Sequence, residues 1–169
     1  NTLLDKIVEK ILVDSRDPYE IVDFFPTGSD ERQFSSPGFN IPVGSLVRTL
    51  YGKFTEYHTS ADNMDFMNSK SLQDSFAKYH SIIYVLENNM IYKNQNPKCE
   101  PNLGKRKLYD LIGANKELSS NSNSIFWLLN QSDGNTSLLE IATKSNIPFI
   151  DIKNMADILV SHDLLTIMN

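Results

Sequence analysis

Apolar residues recur along this chain in patterns that change from one stretch to the next. Residues 2–14 (TLLDKIVEKILVD) set Leu4, Ile7, Val8, Ile11 and Leu12 on one face of a helical repeat, with Asp5, Lys6, Glu9 and Lys10 opposite. That predicts an amphipathic helix packed on a core, and Arg16-Asp17-Pro18 stops it. Tyr19–Phe25 (YEIVDFF) is rich in β-branched and aromatic residues and is closed by Pro26-Thr27-Gly28, which predicts a strand. A short apolar run around Ile41–Val47 predicts a buried strand over about 43–50. Lys70–Tyr92 then carries Leu72, Phe76, Tyr79, Ile83, Leu86 and Met90 at alternating four- and three-residue steps. This spacing predicts a long helix with a core-facing stripe. Helices alternating with strands that lack a clean polar alternation predict an α/β fold, a sheet covered on its faces by helices.

The pattern changes after residue 93. Asn94–Gly104 (NQNPKCEPNLG) reads as a loop, Leu108–Ile112 as a short apolar piece, and 113–122 as a polar linker. A helix starts at Ser124 and carries Trp127, and a turn follows at Ser132–Asn135. Ser137 and Glu140 stand at capping-box spacing on a second helix. Phe149–His162 is a third, with Ile152, Met155, Ala156 and Leu159 inward, and Leu164–Met168 ends as a short strand. Three short helices and a strand predict a winged helix-turn-helix. The division expected is therefore 1–112, a linker at 113–122, and a winged-helix domain at 123–169.

Composition narrows the function classes. The chain has 169 residues, 40% of them hydrophobic, enough for a packed core. Its net charge of −5 argues against nucleic acid as a partner. The exposed face expected on the third tail helix (Asp151, Lys153, Asn154, Asp157) is not cationic either. The single cysteine, Cys99, rules out an intramolecular disulfide and suits a cytoplasmic setting. No apolar run reaches the length of a membrane span and no secretory leader is visible, so no membrane partner is expected. The chain opens at Asn1 rather than Met and is read as part of something longer.

Candidate chemistry concentrates between Gly28 and Asp65. This stretch holds two clusters, Ser29-Asp30-Glu31-Arg32 and Glu56-Tyr57-His58-Thr59, and polar clusters on loops held by a scaffold are a usual form of active site. His58 lies in a polar loop near Glu56, Asp62 and Asp65. Neutral imidazole is a common metal ligand, and Asp62 or Thr59 stands close enough in sequence to orient it. The alternative is a loop histidine hydrogen-bonded for structure. Asp30 and Glu31 could pair as metal ligands or as a general base, with Arg32 a carboxylate clamp, or simply neutralise one another in a charged loop. His80 and His162 read as structural. There is no G-x-S-x-G nucleophile elbow and no glycine-rich phosphate loop.

Ser29-Asp30, then Pro37-Gly38-Phe39-Asn40-Ile41-Pro42-Val43, then Glu56-Tyr57-His58-Thr59-Ser60-Ala61-Asp62 resemble the C-terminal third of the zinc-dependent aminopeptidase fold. The fuller strings GSDERQFSSPGFNIPVGSLVRT, EYHTSADN and CEPNLGKRKLY resemble a narrower bacterial group of aminopeptidase-like proteins linked to polysaccharide biosynthesis and ending in a winged helix. The resemblance implies His58 as the last zinc ligand and Asp30 as an acidic residue of the site. Glu31 stands where the family has His. Tyr57 would be a substrate wall, with Thr59 and Asp62 the residues that follow the ligand. Arg32 and Glu56 belong to the narrower group's strings and could contact substrate.

The family's other ligands and its general base come earlier in its chain, in an N-terminal half not present in this sequence. Zinc catalysis needs about three protein ligands and an open position, so this chain alone is expected to be inert. The implied activity of the longer parent is zinc-dependent hydrolysis of a peptide-like or amide substrate. The alternative is a non-catalytic aminopeptidase-like binding module whose winged helix makes protein contacts. Partners expected are the N-terminal half of the same protein and, through the surface that half would cover, a second copy of the chain.

Overall fold

A computed structural model of the protein describes residues 2–26, 28–108 and 122–168. The chain divides into two compact units, Asn1–Ile82 and Ile83–Asn169. The fold is α/β in class, helices with a small antiparallel sheet.

In the first unit α1 spans Leu3–Ser15. Its start is a capping box, with the Thr2 amide donating to Asp5 Oδ2 (2.6 Å) and the Asp5 amide to Thr2 Oγ1 (3.3 Å). Arg16, in the left-handed region at φ 58°, closes it. Ile7 and Leu12 are buried and Leu4, Val8 and Ile11 half-buried, the face expected. Lys10 departs from the pattern. It is buried, with its ammonium 2.6 Å from Asp14 Oδ1 one turn on.

Neither expected strand forms a ladder. Residues 18–25 and 41–47 have no regular secondary structure, and Ile21, Val22, Phe24, Phe25, Ile41 and Val47 are all exposed. A strand is stabilised by pairing with a neighbour, and the described residues of this unit contain no partner strand. The Ser29–Arg32 cluster, read as loop, instead begins the short helix α2, Asp30–Phe34.

The long helix α3, Ser69–Asn88, begins where expected but stops before Tyr92, since Ile91 and Tyr92 enter a strand, and its expected core-facing stripe is open. Leu72, Phe76 (70% exposed), Tyr79, Ile83, Leu86 and Met90 face outward, whereas Ile82 and Val85 (1%) on the opposite side are buried. That opposite side also carries the polar contacts. Lys78 Nζ bridges Asp74 Oδ1 (2.6 Å) and Asp17 Oδ2 (2.9 Å), and Asp74 Oδ2 accepts from Arg48 (2.6 Å). Arg48 also donates to the Ser71 carbonyl, and from the open side the Tyr79 hydroxyl donates to the Leu46 carbonyl. The network ties Asp17 and Leu46–Arg48, at the ends of these two segments, to α3.

The second unit is built around β1, Ile91–Asn94, which lies between β2 (Asp133–Ser137) and β3 (Leu165–Ile167), antiparallel to both. Tyr92 pairs with Ile167, Lys93 with Thr166 and Asn94 with Leu165. Helices α4 (Ser122–Gln131), α5 (Leu138–Ser145) and α6 (Phe149–Ser161) pack on one another. The Ser137–Glu140 capping box is present, and Ile152, Met155, Ala156 and Leu159 are buried as expected. The sheet thus takes its central strand from upstream of the linker expected at 113–122, a segment of which only Ser122 is described. The turn expected at Ser132–Asn135 mostly enters β2, with Gly134 at φ 92° beside the Lys93 side chain.

Asn94, 6% exposed, is the polar pin of this unit. Its side chain donates to the Leu129 carbonyl (2.7 Å) and accepts from the Asn96 amide (2.8 Å). The Tyr92 hydroxyl, equally buried, has no hydrogen-bond partner among the described residues. Removing a satisfied buried group and an unsatisfied one should act differently. Asn94→Ala is expected to cost about 1–3 kcal/mol in urea unfolding, and Tyr92→Phe nothing or a slight gain.

The Lys78 network makes a pH prediction. Hydrogen bonds from Lys78, then Arg48, hold the Asp74 carboxyl below its ordinary 3.8. Bonds to Asp17, then Asp74, hold the Lys78 ammonium above its ordinary 10.5. Asp74 therefore contributes stability that is present above its unfolded pKa and lost as pH falls through the depressed one. The Lys78 contribution is present below 10.5 and lost as pH rises through the raised value. Lys78→Met should flatten the alkaline limb of the unfolding midpoint against pH and weaken the acid limb.

Candidate active site

The His58 loop is a run of turns in which local hydrogen bonds set the backbone. The Thr59 amide (3.0 Å) and hydroxyl (2.8 Å) both donate to the Glu56 carbonyl, and the Thr59 hydroxyl accepts from the Ala61 amide (3.2 Å). The Asp62 amide donates to the Thr59 carbonyl (3.2 Å). These bonds hold His58 in the left-handed region at φ 57°, a conformation sparsely populated outside glycine. The imidazole is exposed and stacks on the Tyr57 ring, centroids 4.0 Å apart and planes 16° apart.

Tyr57 belongs to an aromatic shelf. Phe54 meets it edge-on at 5.5 Å, Tyr51 lies at 6.0 Å, and Phe66 stacks on Phe54 at 5.8 Å. Glu56 is half-buried, its Oε2 accepting from the Thr55 hydroxyl (3.0 Å). Sequence reading identified Tyr57 but not the shelf. The three- and nine-residue spacings of its members are legible only once the turns are known.

The other cluster lies on α2. The Glu31 carboxylate accepts from the Ser45 hydroxyl, and a Cβ at Gly28 would collide with it, so glycine leaves the room this carboxylate uses. The Ser45 bond, first among the causes, holds the Glu31 carboxyl below its ordinary range. Asp30 and Arg32 are exposed on the same short helix. Ser45 had no signal in the sequence, since fourteen residues separate it from Glu31.

Among the described residues no group of three or more His, Cys, Asp or Glu side chains is placed to hold a metal ion. His58 is one donor, whereas a zinc site needs about three from the protein. The donor set of the described residues does not by itself fit zinc. In the second unit a cavity of about 460 Å³ is lined by Cys99, Glu100, Asn123, Phe126, Trp127, Leu129 and Asn130. None of these belongs to the two clusters. No described helix is long and apolar enough to cross a membrane.

The Glu31–Ser45 bond can be tested directly. Hydrogen bonding to the charged form favours it, so Ser45→Ala should move the Glu31 midpoint upward in an NMR titration.

Comparison with known proteins follows the two-unit division. Residues 90–167 match a family described as winged helix-turn-helix. A Clostridium acetobutylicum protein, provisionally named a polysaccharide biosynthesis protein with aminopeptidase-like domain, is 53% identical over 98% of this chain and 38% of its own length. A crystal structure of a protein from the same organism, provisionally named a peptidase, is 50% identical and superposes with a TM-score of 0.87. That match covers 99% of this chain and 36% of the solved one, so the chain spans little more than a third of each relative. Residues 1–89 match the family described as a domain of unknown function, DUF4910, and the chain belongs to that family.

Proposed function

We propose that this chain is the C-terminal portion of a longer, zinc-dependent aminopeptidase-like hydrolase acting on a peptide-like or amide substrate. The observation that carries the reading is the His58 turn. A bonded loop holds an exposed imidazole in a strained conformation against an aromatic wall, in a chain half identical to a protein named for an aminopeptidase-like domain. Strain of this kind persists where surrounding structure enforces it, and it concentrates at functional sites.

In this reading His58 is one metal ligand, and the remaining ligands and the general base come from the rest of the longer protein. Zinc in such a site supplies a water activated for attack on an amide carbonyl. The residues of this chain position and recognise. Tyr57, backed by Phe54 and Phe66, forms a substrate wall. Thr59 fixes the turn through the Glu56 carbonyl, and Asp62, three residues beyond it, would orient the imidazole. Asp30 lines the site, with Arg32 and Glu56 as substrate contacts. Alone, the chain is inert. The polysaccharide-biosynthesis role in the relative's name extends to the parent of this chain.

A second reading, a non-catalytic binding module with the winged helix used for protein contacts, is favoured by Glu31. It stands where the resemblance places a histidine, and the Ser45 hydroxyl, donating to it, favours its charged form.

Metal content and aminoacyl-anilide hydrolysis, measured together on the longer protein, separate the two. Stoichiometric zinc and turnover are expected, both lost in His58→Ala, with Asp62→Asn weakening metal affinity about 10- to 100-fold. Zinc without turnover across a broad substrate panel would favour the binding module.

A further inference from the structure

Small-molecule sites are concave surfaces of apolar and aromatic groups with a few polar groups placed to orient the ligand. The cavity of the second unit has that make-up, and the hydrolase reading makes no use of it. Its volume, about 460 Å³, falls within the ~300–1,000 Å³ span of such sites. One face of α4 lines it, with Asn123, Trp127 and Asn130 at four- and three-residue steps and Phe126 beside Trp127. Glu100 and Cys99 join them, Cys99 in the left-handed region at φ 64°. Neither Phe126, 41% exposed, nor Trp127 packs on another aromatic ring among the described residues. The Asn123 carboxamide has no hydrogen-bond partner among them, and Asn130 only accepts from Gln131, which leaves its NH2 available. No described Lys or Arg lines the cavity.

The geometry points to a saccharide site in the winged-helix unit. Trp127 and Phe126 form a platform for the C–H face of an uncharged sugar ring, and Asn123, Asn130 and Glu100 bind its hydroxyls. The face of an aromatic ring is negative, which attracts the slightly positive C–H groups of a pyranose. Carboxamides both donate and accept, and a carboxylate accepts at about four positions. Hydroxyls, which also donate and accept, match that set. Asn123 and Asn130 stand two helical turns apart, about 10 Å along the axis, so a ligand that reaches both is an oligosaccharide rather than a single ring. A quaternary cation would use the rings and Glu100 but leave both carboxamides idle. An acidic sugar or a nucleotide would meet Glu100 with no lining cation to offset the repulsion. Consecutive helical residues diverge by about 100°, so Phe126 and Trp127 do not face each other as a pair sandwiching a nucleobase would. The site stands or falls independently of the hydrolase reading.

Trp127 and Cys99 are the only tryptophan and the only cysteine of the 169-residue chain, so the site reports on itself without labels. Cellotriose or triacetylchitotriose, titrated to about 10 mM, should shift the Trp127 emission saturably. At about ten times its dissociation constant, the bound trisaccharide should slow iodoacetamide alkylation of the exposed Cys99 about tenfold. Asn123→Ala and Asn130→Ala, at exposed positions, should each weaken binding about 2- to 10-fold with the unfolding midpoint unchanged. Trigalacturonate should give neither signal. Absence of both signals with either neutral trisaccharide would overturn the site. An emission shift with Cys99 unprotected, or an affinity indifferent to both asparagine variants, would put the sugar elsewhere and defeat the proposal equally. Choline giving both signals where the trisaccharides give none would replace it with a cation site.

Discussion

Every backbone N–H and C=O removed from water must find a partner, and the two units meet that demand differently. In the second, β1 lies between β2 and β3, and its polar groups are satisfied on both sides by strands of the same chain. Asn94 extends the satisfaction into the helical layer through the Leu129 carbonyl. In the first, the apolar segments 18–25 and 41–47 find no strand to pair with among the described residues, and Ile21, Val22, Phe24, Phe25, Ile41 and Val47 stay exposed. The first unit is therefore organised by side-chain charge rather than by a sheet. Lys78 and Asp74 reach Asp17 and Arg48, at the ends of these two segments, and fasten them to α3.

Charge networks at a surface are a weak scaffold, since exposed ion pairs contribute little each. The network here has geometry in its favour, with Lys78 shared between two carboxylates and Asp74 between two cations. It leaves the apolar side of α3 uncommitted. A helix with a polar-fastened side and an open apolar side suits a unit that completes its core against something else.

The His58 turn follows the same division of labour. Its backbone is determined locally, by the Thr59 bonds to the Glu56 carbonyl, and its ring by the stack on Tyr57. Its chemistry is not. One exposed imidazole offers a ligand, and the described residues around it add no others in metal-binding geometry. The chain spans little more than a third of the relatives it matches.

By itself the sequence determined what depends on near neighbours in the chain. The helices at 3–15, 138–145 and 149–161, the Ser137–Glu140 capping box and the buried face of α6 follow from period and capping chemistry that act within a few residues. The winged helix was legible for the same reason. Only tertiary structure decided what depends on distant partners. Whether Tyr19–Phe25 becomes a strand depends on a neighbour that its own composition cannot supply. Which side of α3 is buried was misread because both sides carry apolar residues, and period alone cannot rank them. Ser45 against Glu31, Arg48 against Asp74 and β1 as a central strand all join residues 14 to 75 positions apart. The choice of those partners rests on the geometry of the folded chain, since a hydrogen bond or ladder pair forms only at contact distance.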